Sequence, residues 1–257
     1  MLNDLKLIIE ASRKGNCKSV VMFGSYGKGE GAIVKGNPIN DIDLLLVDAD
    51  DDVLRAFNGI TASAPLDITL IKTEDIPTIL PVQQWWEIRY GSILLDGQPL
   101  KLPDWKAWEI PYWDAVESIN KRCVSMIIAK HEMMKKDGSA KKVLTQIGKA
   151  VIALGDALLI KRGKFDHRYS VRALMLMFDD IATDYRVAVS HKVLNEPELN
   201  PDELWQMWMR TVNNLREYAF KNELVIDNLD TLLSINETTT KEEIAEIIKQ
   251  LGAEKYL

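Results

Sequence analysis

The sequence contains little cysteine and histidine: two Cys and three His among 257 residues. Cys17 and Cys123 lie far apart, and neither they nor His131, His167 and His191 show the close spacing of zinc ligands. We therefore expect free thiols in a reducing compartment and no structural zinc.

The sequence also lacks long apolar runs, and its basic residues do not outnumber its acidic ones. The first ten residues interleave charges with apolar positions, as in an amphipathic helix rather than a signal peptide. No apolar run approaches the length that crosses a bilayer. The net charge is −6, and a hydrophobic content of 47% is ample for packed cores. These features predict a cytoplasmic globular protein without a membrane partner.

Two carboxylates follow a strand and a glycine-rich loop. The segment Phe23–Gly31 reads FGSYGKGEG, and Asp41 and Asp43 then begin a strand-like run, DIDLLLV. Side chains two residues apart on a strand share one face, so the two acids project together, roughly 7 Å apart at the backbone. Burying an unpaired carboxylate on an apolar strand, away from water, costs free energy. We therefore expect them to line a wet cleft that binds metal.

A third acid lies in a second strand-like segment. Residues 66–71 read LDITLI, in which Asp67 is the one charge among strong strand formers. If this strand neighbours the one that carries Asp41 and Asp43, the three carboxylates can converge on one site. Hard oxygen ligands of this number suit Mg²⁺ or Mn²⁺.

This pattern resembles the nucleotidyltransferase superfamily with a DNA polymerase β-like palm. The matching residues are the Gly24-Ser25 turn, the Asp41/Asp43 pair and the later Asp67, while Lys28 falls where many members carry a basic residue. Fifteen residues separate Ser25 from Asp41, slightly more than the usual spacing.

The resemblance implies a set of roles for these residues. Asp41, Asp43 and Asp67 would be catalytic and would bind Mg²⁺ or Mn²⁺, and Gly24, Ser25 and Lys28 would bind the nucleotide. The implied reaction moves a nucleoside monophosphate from an NTP, most simply ATP, to a hydroxyl and releases pyrophosphate. Physical chemistry agrees, because backbone N–H groups at a helix start bind phosphates.

The chain reads as two domains with a boundary near residues 97–112, which are rich in Pro and Gly. Residues 1–110 are expected to form an α/β catalytic domain, a mixed sheet with flanking helices of polymerase β-like type. Residues 111–257 are expected to form an all-α helical bundle that binds the acceptor. Helices are predicted at 113–136, 140–162, 170–193, 201–222 and 241–251; the last begins with a Thr240/Glu243 capping box and ends before Gly252.

The helical half is similar in general character to the helical domains of kanamycin-nucleotidyltransferase-like and HEPN proteins. Arg186 and His191 match the Arg-x4-His spacing of HEPN ribonucleases, although such a pair also arises readily by chance. Lys149 and Asp156 share a predicted helix face and are weak candidates for acceptor contacts.

Several acceptor classes stay open at this point. A small molecule or a protein side chain fits the acidic chain. An RNA end would use the basic segment 121–172, which holds thirteen Lys or Arg against four Asp or Glu, but the net charge disfavours it. The other alternative is a catalytically degenerate nucleotide-binding or interaction module. The sequence does not specify the acceptor, the base or the oligomeric state.

Overall fold

The computed structural model describes residues 1–196, 198–221, 235–236 and 238–250. It divides into two compact units. The first contains Met1–Ile110 together with Asp166–Tyr169, and the second contains Pro111–Phe165 and the residues from Ser170 onward.

The first unit is a mixed α/β structure. Its strands are β1 (Ser19–Met22), β2 (Ile33–Val34), β3 (Asn37–Pro38), β4 (Ile42–Val47), β5 (Leu66–Ile71) and β6 (Ile93–Gly97). Its helices are α1 (Leu2–Ser12), α2 (Gly24–Gly27), α3 (Asp51–Asn58) and α4 (Gln83–Gly91), with 3₁₀ turns at Thr73–Thr78 and Ala107–Glu109.

Four strands form the main sheet in the order β5-β4-β1-β6. Strand β1 is antiparallel to both of its neighbours, whereas β4 and β5 run parallel. A separate hairpin of β2 and β3 lies within the loop between α2 and β4. Its two turn residues, Lys35 and Gly36, both have positive φ, 51° and 83°, as a tight hairpin turn with the matching twist requires.

The core of the first unit packs on one face of β4. Ile42, Leu44 and Leu46 are fully buried in a cluster that also contains Val53 and Phe57 of α3. Asp43 lies between them in sequence and is only partly buried. The apolar face of β4 therefore packs on helices, and the opposite face carries the acid.

All the regular secondary structure among the described residues of the second unit is helical. Its helices are α5 (Tyr112–Met134), α6 (Ala140–Lys161), α7 (Tyr169–Met175, with Tyr169 counted in the first unit), α8 (Ala182–Leu194), α9 (Pro201–Lys221) and α10 (Lys241–Gln250). A mixed sheet with flanking helices followed by an all-α region confirms the predicted fold class.

One helix prediction is wrong. The expected helix over 170–193 is two helices, α7 and α8, separated by a turn. The Asp179 carboxylate accepts a hydrogen bond of 2.8 Å from Arg162, and the Asp179 amide donates to the Leu176 carbonyl. The Asp179 amide thus bonds to the carbonyl three residues back, as in a turn, and the α-helical bonding pattern stops despite the helical periodicity.

The other helical predictions agree with the structure to within about two residues. The capping box of α10 is present, with the Thr240 amide donating to Glu243 Oε2 at 2.7 Å and the Glu243 amide donating to Thr240 Oγ1 at 3.1 Å. The predicted stop at Gly252 lies outside the described residues.

Helix α6 corrects the expectation about apolar runs. By length and composition it could cross a membrane, and it is the one described helix that meets this test. However, 72% of its most apolar window is buried inside the protein, where it packs against α5, α8 and α9. The core helix of a helical bundle passes the same test as a membrane span, because both are apolar on most sides.

Candidate functional site

Two of the three predicted carboxylates occupy paired positions on adjacent strands. In the parallel register of β4 and β5, the Cα of Asp43 is the partner of the Cα of Asp67. Directly paired residues project to the same face of a sheet. Asp43 is partly buried and Asp67 is exposed, so the acidic pair faces solvent on the side of the sheet opposite the Ile42, Leu44 and Leu46 core.

Asp41 stands just before β4. It is exposed, and the following residue, Ile42, donates its amide to the Pro65 carbonyl at 2.9 Å. This bond aligns the start of β4 with β5. Within the described residues no three Asp, Glu, His or Cys side chains are gathered closely enough to form a metal-binding group. The structure therefore places Asp43 beside Asp67 without closing the set of three around one point.

Gly24 lies directly against Asp43. The Phe23 amide donates to the Asp43 carbonyl at 3.0 Å, which holds the end of β1 beside β4. At the next residue the backbone turns with a φ of +64°, and a Cβ built on Gly24 would lie 1.8 Å from Asp43 Oδ2. Glycine meets both requirements, since it has no Cβ and readily adopts positive φ.

Ser25 is the second residue of α2 and is only 4% exposed. Its carbonyl accepts a hydrogen bond of 2.8 Å from the Glu30 amide, which closes the turn after α2. The Gly24-Ser25 turn thus follows β1 immediately and passes beside the Asp43 carboxylate, at the place where the sequence predicts a phosphate site.

The Lys28 side chain is fully buried within the first unit. Its Nζ lies 2.9 Å from Glu87 Oε1 and 3.9 Å from the centroid of the Tyr169 ring. A buried ammonium needs such partners to offset its loss of hydration. In the described conformation Lys28 is therefore engaged inside the unit, and contact with a nucleotide would require its ammonium to leave Glu87 and Tyr169.

The Lys28 contacts extend to the segment Asp166–Tyr169. The Tyr169 amide donates to Glu30 Oε2 at 2.7 Å. Burial lowers the pKa of His167, and the nearby Lys28 charge acts in the same direction while Asp166 opposes both. These contacts attach a segment from beyond residue 160 to the loop after α2.

Tyr26 organises the long loop that leads to Asp41. Its hydroxyl donates to the Ala32 carbonyl at 2.8 Å and accepts from the amides of Ile39 at 2.9 Å and Asn40 at 3.1 Å. The side chain is only 5% exposed. One phenol thus fixes both ends of the β2–β3 hairpin segment, and the second of these amides belongs to the residue before Asp41.

Sequence reasoning missed Tyr26, Glu87 and Tyr169 as parts of this region. The sequence contains one local signal for the role of Tyr26: it is an aromatic residue next to the Gly-Ser turn, and a long loop that must be held in place follows it. Glu87 and Tyr169 lie 59 and 141 residues beyond Lys28, and no local pattern reports such pairings.

The weaker candidates of the helical unit do not form a polar site of the expected kind. Arg186 is exposed, whereas His191 is buried and its Nε2 lies 3.1 Å from Thr145 Oγ1. Asp156 accepts hydrogen bonds from buried Arg172 at 2.9 Å and from the Tyr185 hydroxyl at 3.0 Å. Both His191 and Asp156 therefore make interior contacts.

The carboxylate oxygens of Asp41, Asp43 and Asp67 are hard ligands of the kind that Mg²⁺ and Mn²⁺ prefer. The Asp43/Asp67 pair also places two like charges side by side, which a divalent cation would neutralise. The donor set therefore fits such a metal, provided that the Asp41 side chain joins the pair.

The chain was compared with protein families, curated proteins and solved structures. No protein-family model and no curated protein matches this chain. A crystal structure of spectinomycin adenyltransferase AAD(9) from Enterococcus faecialis with ATP and spectinomycin is similar over 84% of this chain and 98% of that one. The TM-score is 0.43 and the sequence identity is 14%.

Proposed function

We propose that this protein is a metal-dependent nucleotidyltransferase that moves a nucleoside monophosphate from an NTP, most simply ATP, to an acceptor hydroxyl and releases pyrophosphate. The observation that carries the proposal is the pairing of Asp43 with Asp67 on parallel strands, with Gly24 against Asp43. Gly24 of the Gly-Ser turn, Asp43 and Asp67 are thus neighbours in the first unit, and Asp41 precedes Asp43 by two residues.

Each site residue has a role in this proposal. Asp41 and Asp43 would hold Mg²⁺ or Mn²⁺, and Asp67 would complete the ligand set and orient the attacking hydroxyl or accept its proton. When bound, the metal neutralises charge on the phosphates and lowers the pKa of the nucleophile. Gly24 and Ser25 would bind the β and γ phosphates through backbone N–H groups and the Ser25 hydroxyl.

In this proposal Lys28 stabilises the Gly24-Ser25 turn through its buried contacts within the first unit. Because its ammonium is held by Glu87 and Tyr169, it would stabilise the loop after α2 in the closed arrangement described. A direct contact with the triphosphate, as the sequence suggests, remains a prediction that requires rearrangement of this cluster.

The helical part, residues 111–257, is proposed to bind the acceptor. A small molecule or a protein side chain fits a chain of net charge −6. An RNA end is disfavoured, because binding to a phosphate backbone depends on a strongly positive surface. Salt-dependent association with RNA would reverse this preference.

Titration of the full chain with ATP, with and without Mg²⁺, followed by a pyrophosphate-release assay, tests the proposal. We expect Mg²⁺-dependent binding that is lost in Asp43→Asn and kept in Asp75→Asn, which removes one exposed carboxylate elsewhere in the first unit. Loss of binding in both variants, or in neither, would contradict the assignment of Asp43.

The same experiment separates an enzyme from a degenerate module. Mg²⁺-dependent binding of ATP with no pyrophosphate release in the presence of a cell extract would favour a nucleotide-binding module, consistent with the incomplete gathering of acids. For an active enzyme, incubation with NTPs labelled at the α-phosphate in an extract would transfer the label to the acceptor and identify its class.

A further inference from the structure

Helices α5, α6 and α9 surround a cavity of about 280 Å³ in the helical unit. Its wall residues are mainly apolar and include Met133, Met134, Val143, Leu204 and Trp205. A cavity of about 150 Å³ accommodates benzene, so the space suffices for a ring with a short chain. Thioether and indole groups are well suited to contact an aromatic or aliphatic body.

A buried lysine contacts Trp205, one of the wall residues of this cavity. Lys130 is only 4% exposed, and it lies one helical turn before Met133 and Met134 on the same face of α5. Its Nζ lies 4.0 Å from the ring centroid of Trp205, a wall residue, and 5.5 Å from that of Trp208. Burial lowers the pKa of the Lys130 ammonium.

Lys130 has no carboxylate partner among residues 1–196, 198–221, 235–236 and 238–250; its contacts there are the two indole rings. Buried charges are ordinarily paired with an opposite charge, and cation–π contacts replace that partner only in part. Lys130 therefore offers an unused positive charge to an anion.

The acidic residue on the cavity wall, Glu132, is not an ion-pair partner of Lys130. Glu132 accepts hydrogen bonds from Lys135 Nζ at 2.8 Å and from the Ser139 amide at 3.1 Å. The hydrogen bond from Lys135 is the main reason why the pKa of Glu132 lies below its usual value. Its negative charge is thus compensated locally and does not oppose an anion beside Lys130.

We propose that this cavity binds a small monocarboxylate with an apolar body, whose carboxylate pairs with Lys130 and whose ring or chain contacts Met133, Met134 and Trp205. The site belongs to the helical unit, whereas the proposed catalytic residues belong to the first. The inference does not depend on nucleotidyl transfer.

Calorimetric titration of the full chain with three isosteric probes tests the proposal: 4-phenylbutyrate, 4-phenylbutan-1-ol and 4-phenylbutylamine. We expect the acid to bind about tenfold more tightly than the alcohol, as befits a hydrogen bond to a charged group, and the amine to bind most weakly. Equal affinities for the three probes, or no binding at millimolar concentration, would overturn the proposal.

Variants then locate the binding. Lys130→Met should reduce the affinity for the acid to that for the alcohol, whereas Lys136→Met, which removes an exposed charge nearby, should leave the preference unchanged. Ala140→Trp, at an exposed wall position, should weaken all three probes. Persistence of the acid preference in Lys130→Met, or unchanged binding in Ala140→Trp, contradicts the site. If Lys130→Met fails to fold, the probe series and Ala140→Trp still decide.

Discussion

The Asp43 carboxylate occupies the space that any side chain at residue 24 would need, since a Cβ on Gly24 would lie 1.8 Å from Asp43 Oδ2. The φ of +64° at Gly24 adds a second, independent requirement for glycine. A backbone that approaches a carboxylate this closely can present its N–H groups to whatever that carboxylate helps to bind.

The two requirements at Gly24 can be separated by experiment. Gly29 also has positive φ, +73°, but nothing lies within 4 Å of a Cβ placed there. We expect Gly29→Ala to lower the free energy of unfolding by about 1 kcal/mol through backbone strain alone. Gly24→Ala should cost more and should also abolish Mg²⁺-dependent ATP binding by displacing Asp43. Urea unfolding measures the loss of stability, and calorimetry measures ATP binding. Equal losses of stability and of binding in the two variants would contradict the close approach of Gly24 to Asp43.

The Tyr26 hydroxyl predicts a local effect on the loop before Asp41. Tyr26→Phe removes one acceptor for two amides and one donor to a carbonyl, and we expect a loss of about 2 kcal/mol in unfolding free energy. Amide hydrogen exchange should accelerate at Ile39 and Asn40. Tyr90→Phe, which loses hydrogen bonds to Asp104 and Trp105 elsewhere in the unit, should leave exchange at these two amides unchanged.

The paired acids predict a metal effect that is independent of turnover. Like charges on directly paired strand positions destabilise a sheet by a few tenths of a kcal/mol, so Asp67→Asn should slightly stabilise the protein in EDTA. Mg²⁺ should raise the melting temperature of the wild type and not that of Asp67→Asn. Thermal unfolding with EDTA and with Mg²⁺ checks this, and equal stabilisation of both proteins by Mg²⁺ would place the metal elsewhere.

The ion pair between Arg13, which follows α1, and Asp96 of β6 predicts a pH dependence. Asp96 accepts hydrogen bonds from Arg13 at 3.0 and 3.1 Å and from the Ser12 hydroxyl at 2.9 Å, and the Arg13 guanidinium holds the pKa of Asp96 below its usual value. A lowered pKa stabilises the fold above the ordinary Asp range, and this stability is lost as the pH falls through the folded value. Asp96→Asn should therefore cost about 1 kcal/mol near neutral pH and nothing in strong acid.

A matched control exists for this pair. Asp52 pairs with Arg55, and both of these side chains are largely exposed, so Asp52→Asn should change the free energy of unfolding little at any pH. Urea unfolding from pH 7 to pH 3 compares the two variants. A cost of Asp96→Asn that does not shrink in acid would show that the effect is not electrostatic.

Local pattern predicted the strands that carry the acids, because side-chain alternation follows from strand geometry alone. The pairing of Asp43 with Asp67 could only be stated conditionally. Parallel neighbours are joined through an intervening helix, here α3, and their register depends on how that helix packs. The position of β1 between β4 and β6 is likewise a long-range outcome.

One wrong helix prediction and one unforeseen burial have a physical origin. The turn between α7 and α8 is accompanied by a contact between Arg162 and Asp179, which periodicity cannot report. The burial of Lys28 depends on Glu87 and Tyr169, and its predicted nucleotide contact stays a prediction. In both cases a charged side chain finds its partner far along the sequence.

The return of residues 166–169 to the first unit makes the two halves of the chain difficult to separate. A protein truncated after Ile110 would keep every predicted catalytic acid, but it would lose the aromatic face beneath Lys28 and the amide bound by Glu30. Such a fragment is expected to unfold more easily than the same residues in the intact chain. A chimaera that exchanges the helical half between relatives would have to keep residues 166–169 together with the loop after α2 that they contact.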